Sequence, residues 1–195
     1  MIRLIAALCK TLLEFLTDEQ IFQDASDGYI HHGKDCPRCG AVGKLNPYNG
    51  YSRWLVSRRK RKTVSCLIWI RRFECGSCGA THALLPDILT PYSPYSLHFK
   101  LAVLIAYFER DITVVVLCEE FGIAVSTLYE WKKCMASHKE LMIGVLLNRK
   151  TSALDFLCGL IGSADLSDTL HCFFRKYGFS FMQRMPATAT RSNPP

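Results

Sequence analysis

Apolar and polar positions follow two rhythms along the chain. In the first half they give strands. Tyr51 to Ser57 (Tyr-Ser-Arg-Trp-Leu-Val-Ser) predicts one. The β-branched and aromatic run Thr63 to Phe73 predicts a second, and Thr81 to Leu85 a third. The Arg/Lys run between the first two would be a hairpin tip. Pro86, Pro91 and Pro94 then exclude a helix and favour an extended, stiff connection. Beyond it the period becomes helical. Ser96 suits the cap of a helix over Leu97 to Arg110. Over Thr113 to Lys133, the residues Leu117, Phe121, Ile123, Leu128 and Trp131 fall where two short helices would share a small core.

The ends are read the same way. Met1 to Leu16 is apolar but carries Arg3, Lys10 and Glu14, which predicts an amphipathic helix packed on the body. The tail predicts helices at Ser137 to Leu147, Ser152 to Leu160 and Ser167 to Tyr177. Asp165 and Asp168 would mark the start of the last one, where acids complement the helix dipole. Phe156, Leu157, Leu160, Phe173, Phe174 and Phe179 supply apolar faces that would either cover the N-terminal helix or dimerise the chain. The last ten residues, from Pro186, are expected to be disordered.

The cysteines add chemistry to this outline. Cys36-Pro37-Arg38-Cys39-Gly40 and Cys75-Gly76-Ser77-Cys78-Gly79 are two CxxCG knuckles. Each points two thiolates at one spot, and the glycine lets the chain turn away without a Cβ clash. Together Cys36, Cys39, Cys75 and Cys78 are the four soft ligands of a tetrahedral structural Zn²⁺ site. Knuckle, hairpin, knuckle and strand is the layout of a zinc ribbon. The competing readings are two disulfides or unrelated thiols. A thioredoxin-like CxxC needs a βαβ setting that this pattern lacks. His31, His32 and His82 are spare donors, but four thiolates fill the shell. Cys9, Cys66, Cys118, Cys134, Cys158 and Cys172 read as small apolar residues.

Length and composition set bounds. The 195 residues, 49% apolar, suffice for one domain or two small ones with a real core. No apolar run reaches the roughly 18 residues of a membrane span. The run Leu4 to Cys9 is short for a signal-peptide core, so a reducing cytosol is expected, where metal ligation is favoured over disulfides. The expected class is α+β: a small β zinc ribbon followed by a mainly helical helix-turn-helix domain. The expected units are 1–30 N-terminal helix and lead-in, 31–85 ribbon, 86–96 Pro-rich linker, 97–150 helix-turn-helix domain, 151–185 C-terminal helices and 186–195 tail.

Charge changes the picture further. From His31 to His82 eleven Lys/Arg stand against Asp35 and Glu74, a net +9 in a chain whose total is +7. The densest part is Arg58-Arg59-Lys60-Arg61-Lys62. A basic stripe on an otherwise near-neutral chain is the footprint of a polyanion binder, although a solvated hairpin tip would look the same. In the helical half, Gly122 would end the first helix in the left-handed conformation, and Cys118 is small enough for a second helix to cross closely. Ser126 would cap that second helix. Thr127, Tyr129, Glu130 and Lys133 would face out, as a recognition helix presents itself to a major groove. Tyr129 and Lys133 suit phosphate or base-edge contacts, and Glu130 suits cytosine N4.

The order CPRCG, basic hairpin, CGSCG, Leu-Pro-Asp and then Ser-Thr-Leu-Tyr-Glu-Trp resembles the DNA-binding front of bacterial insertion-sequence transposases. More closely it resembles a small transposase-like family with the same two modules, a short tail and no catalytic domain. The resemblance covers Cys36 to Met135. It implies zinc at the four knuckle cysteines and a recognition surface over Ser126 to Lys133. Full transposases continue into an RNase H-like domain whose three carboxylates hold two metal ions. Only 60 residues follow Met135, and Glu140, Asp155, Asp165 and Asp168 make an implausible triad, so no enzyme activity is expected. The expected function is zinc-dependent, sequence-specific binding of double-stranded DNA by a cytoplasmic, nucleoid-associated protein, with no membrane or small-molecule partner. Helix-turn-helix proteins are often homodimers. Two alternatives stand beside this reading. One is a DNA-binding subunit or truncated fragment of a transposase. The other is an RNA- or protein-binding zinc ribbon.

Overall fold

The computed structural model describes residues 2–4, 34–59, 61–86, 89–109, 111–146, 152–163 and 165–184. Among them lie four strands and five helices, an α+β fold. The strands are β1 (Ile2–Leu4), β2 (Leu45–Arg59), β3 (Lys62–Cys75) and β4 (Thr81–Pro86). The helices are α1 (Leu97–Glu109), α2 (Val114–Phe121), α3 (Val125–Leu146), α4 (Ala153–Ile161) and α5 (Leu166–Tyr177).

The sheet has the order β1-β4-β3-β2. β2 and β3 form a long antiparallel hairpin that pairs from Leu45↔Cys75 to Arg59↔Lys62. Both strands run further than their apolar patterns suggested, because ladder hydrogen bonds carry polar residues such as Asn46 and Glu74 along with them. A bulge between Tyr48 and Tyr51 shifts the register. It lies between two packed ends of the hairpin. Near the knuckles, Leu45, Phe73 and Cys75 join Cys36 and Leu84 in a small core. Above the bulge, Leu55, Ile68 and Ile70 join the main core with the helices.

Ile2–Leu4 corrects the N-terminal expectation. These residues pair in parallel with Leu84 to Pro86 along the open edge of β4, so they form a strand and not part of a helix. An edge offering unpaired carbonyls and amides favours pairing over an isolated helical turn. The rest of the helix expected up to Leu16, with His31 and His32, lies outside the described residues, as does the tail from 185 onward.

The Pro-rich connection is laid along β2. The Val56 N–H donates to Pro94 O (2.8 Å) and the Ser96 N–H donates to Val56 O (2.9 Å). The Arg53 guanidinium donates to the carbonyls of Thr90 and Ser93. Sheet and helices therefore share one core, in which Leu55, Ile70, Leu89, Leu97 and Leu104 are fully buried. Ser96 caps α1, its Oγ accepting from the Phe99 N–H at 3.1 Å.

α2 and α3 form the expected pair. Thr113 caps α2 through the Val116 N–H. Gly122 ends it at φ 64°, a left-handed geometry that costs a side-chain-bearing residue about 1 kcal/mol. Two expectations about α3 are corrected. Its first residue is Val125, so Ser126 lies in the first turn and does not cap it. The helix also runs unbroken to Leu146, merging the second helix of the expected pair with the helix expected at Ser137. Leu128, Trp131, Met135, His138 and Met142 keep one buried stripe across the supposed break. Ser137 bonds back to Cys134 O (2.9 Å) instead of capping a new helix.

The tail helices complete the core. α4, capped by Ser152 through the Asp155 N–H, packs on α1, and α5 packs on α3. Asp165 precedes α5 without a side-chain cap bond, and Asp168 lies in its first turn. Phe156, Leu157, Leu160 and Phe173 are thus buried against the helical body, a role that neither expectation for the tail anticipated.

The segment after α5 is clasped by buried polar groups. Lys100 Nζ donates to Met182 O (3.3 Å), and the Met182 N–H donates to His138 Nδ1 (3.2 Å). Burial pushes Lys100 down to about 8 and His138 down to about 4. His138 is ringed by Phe173, Phe179 and Phe181, and Cys134 Sγ lies 3.7 Å from its Nδ1. Protonating Nδ1 would destroy the acceptor for Met182. The unfolded chain binds this proton near pH 6.5 while the folded chain resists it until about pH 4. Stability should therefore fall as pH drops through that window. Roughly 2 kcal/mol should be lost between pH 7 and pH 5. Urea titrations of the wild type and of His138→Gln at both pH values check this, and the variant should show the smaller difference.

Candidate functional site

The two knuckles are built alike. The Gly40 N–H donates to Cys36 O (2.9 Å) and the Gly79 N–H donates to Cys75 O (2.8 Å). The Cys36 N–H donates to Ala41 O (3.0 Å) and the Cys75 N–H donates to Ala80 O (2.9 Å). Gly40 and Gly79 sit at φ 71° and 65°, the conformation that the glycine of each motif allows. The first knuckle precedes β2, and the second joins β3 to β4. The pairing Leu45↔Cys75 brings them face to face.

The sulfur atoms of Cys36, Cys39, Cys75 and Cys78 all lie within 4.8 Å of one another. Cys36 and Cys78 are 3.8 Å apart, and Cys39 and Cys75 are 3.7 Å apart. A tetrahedral ion with metal–sulfur bonds of about 2.3 Å needs edges of about 3.8 Å. The four thiols could therefore hold a metal ion. These spacings exceed the roughly 2.05 Å of a disulfide bond, and the four thiols are free.

The local field favours the thiolate at Cys75 and Cys36 and opposes it at Cys39. The Cys78 and Ser77 N–H groups draw Cys75 down to about 6. Burial opposes ionisation of Cys36, but the Arg38 and Cys39 N–H groups bring its pKa below the usual thiol value. At Cys39 the Ala41 N–H also favours the thiolate, but the Cys78 sulfur and burial outweigh it, and the thiol is pushed up to about 12. Four thiols so close together share protons, and a cation would displace them all. His82, buried on β4, sets Nε2 3.3 Å from Cys36 Sγ. It is a hydrogen-bond partner of one sulfur and stands outside the four-sulfur group. Its place was hidden in the sequence because it depends on the Phe73↔His82 pairing.

The basic hairpin divides. Arg59, Arg61 and Lys62 are exposed at its tip, and Lys60 lies outside the described residues. Arg58 has another job. Its guanidinium pairs with Glu120 and lies 3.8 Å from the centre of the Phe121 ring. Thr63 Oγ1 donates to Phe121 O (3.0 Å) beside it. These contacts fasten the hairpin tip to the end of α2.

On α3, Ser126, Tyr129, Glu130 and Lys133 are exposed, while Thr127 is half-buried. Leu128 and Trp131 turn into the core. Glu130 pairs with Arg184 at 3.3 Å. Lys132, passed over in the sequence, donates to Tyr107 Oη (2.8 Å) and lies over the Tyr129 ring. Tyr129 is thereby flanked by a cation at the start of α3.

Comparison with known proteins follows these boundaries. A family model described as Domain of unknown function (DUF6431) matches residues 36–131. The match begins at the first knuckle cysteine, ends at Trp131 and spans just under half of the chain. No curated protein and no solved structure matches it. No helix among the described residues is long and apolar enough to cross a membrane.

Cys36→Ser and Cys78→Ser should each bind well below one metal per chain and lose the ordered knuckle end, because metal binding there is folding free energy. Metal content by atomic absorption and melting by circular dichroism check this. Retention of both in the variants would mean that the four sulfurs are not a metal site.

Proposed function

We propose that this chain is a zinc-dependent, sequence-specific DNA-binding protein of transposase-like type without a catalytic domain of its own. The observation that carries the reading is the start of α3. After the left-handed turn at Gly122, the helix buries Leu128 and Trp131 and leaves Ser126, Tyr129 and Lys133 exposed. That is how a helix-turn-helix presents its second helix to a major groove. The knuckle cluster is read as a Zn²⁺ site of the ribbon, which ties the base of the hairpin. Arg59, Arg61 and Lys62 at the other end would meet phosphates, and Tyr129 and Lys133 would meet phosphates or base edges. Arg58 and Glu120 support this arrangement by holding the two modules in register. Glu130, paired with Arg184, would have to exchange that partner to reach cytosine N4.

The test is selection from a random duplex library by the zinc-loaded protein, repeated with a chelator. One enriched motif, lost on chelation, is the expected result; salt-sensitive binding without enrichment would overturn the sequence-specific reading. Tyr129→Ala and Lys133→Ala should each weaken the selected site by roughly 1–2 kcal/mol without changing the melting temperature. Neutralising Arg59, Arg61 or Lys62 should lower the salt slope by about one each, equally for all sequences. Arg58→Ala should lower the melting temperature instead. Titrations at several salt concentrations separate the two behaviours.

A further inference from the structure

The hairpin has an outward face that does not behave like a solvated one. Above the bulge its inner face is closed, with Leu55 and Ile70 both at 0% exposure. The outer face carries Trp54 at 57%, Leu67 at 56% and Trp69 at 53%. An antiparallel sheet normally puts polar residues on its outer face. Here Trp54 pairs directly with Leu67, and Trp69 stands opposite Ser52. The small Ser52 and Ser65 leave the indoles uncovered.

The Trp69 indole is also held in place. It lies so close to Gly50 that a Cβ added there would come within 2.6 Å of the ring. Only glycine fits beneath it. Trp54 and Trp69 stand diagonally across the two strands, a separation of about 7–8 Å between Cα atoms. That is close to twice the roughly 3.4 Å rise between stacked nucleotides.

The hairpin's own charge is of one sign up to Phe73. Nine Lys/Arg and no Asp or Glu occur from Lys44 to Phe73. Of these, Arg59, Arg61 and Lys62 are exposed at the tip, Lys44 at the base and Arg71 opposite the bulge. A partner for this face must be flat, apolar and anionic at the edges. Bases with their phosphates meet all three requirements.

We infer that Trp54 and Trp69, with Leu67 between them, form a stacking platform for unpaired bases of single-stranded DNA. The inference deepens the nucleic-acid reading above but does not need the helix-turn-helix. Stacking on exposed aromatic rings is tolerant of sequence and needs no groove. One chain would then hold two kinds of DNA: duplex at α3 and an unpaired strand along the hairpin.

The full chain is titrated with labelled oligothymidylate and with duplex, and its tryptophan emission is followed. The wild type should bind oligothymidylate and lose emission as it does so. Trp54→Ala and Trp69→Ala should each weaken that binding at least about fivefold. Duplex affinity and melting temperature should change less than about twofold and hardly at all, respectively. Trp54→Phe and Trp69→Phe should keep most of the binding, since a flat ring remains. Unchanged affinity of the Ala variants for oligothymidylate would overturn the platform. So would a wild type that ignores oligothymidylate, or tryptophans needed only for anionic phospholipid vesicles. Binding of duplex without oligothymidylate sinks the platform alone. Binding of oligothymidylate without duplex sinks only the duplex reading.

Discussion

The convergence of four sulfur atoms at the base of one hairpin is the constraint on which the rest depends. A two-stranded ribbon is at best marginally stable in water by itself. β2 and β3 escape this because both of their ends are fastened. At the base, Cys36 and Cys39 meet Cys75 and Cys78, with Leu45, Phe73 and Leu84 packed beside them. At the tip, Arg58 and Thr63 bond to Glu120 and to the carbonyl of Phe121. Between the ends the strand pairing has one irregularity, at the bulge before Tyr51. The hairpin thus behaves as a strut between the knuckles and the α2–α3 pair, and its register is set by both.

The linker reinforces the strut. An isolated run of prolines would hold two modules apart, but here its carbonyls serve as acceptors for Val56 and Arg53. The Val56 N–H of β2 is satisfied by the connection that follows β4. Helix α1 consequently starts against the sheet, and its apolar residues enter the same core as Leu55 and Ile70. Charge on the hairpin and the exposed face of α3 then lie on one body and not on two tethered ones.

What could be read in the sequence follows from the range of the interactions. The knuckles, the cap at Ser96 and the turn at Gly122 depend on a few neighbouring residues, and each was legible. Ile2–Leu4 was not, because its partner Leu84 lies far along the chain and pairing decides against helix. The continuity of α3 was hidden by Ser137, a residue that caps helices as readily as it bonds back within them. Arg58 looked like its four basic neighbours until the position of Phe121 was known. The indoles of Trp54 and Trp69 lay in strands correctly placed by pattern, but pattern does not tell which face of a strand the core will cover.

The unbroken α3 has a mechanical meaning. Its 22 residues make a rod about 33 Å long. One end carries Tyr129 and Lys133, and further along lies His138, bonded to the segment that follows α5. A rod of this kind has no hinge between the surface it displays and the body that grips it. Whatever tilts one end must move the other, so the C-terminal helices are the handle by which the leading end of α3 is aimed.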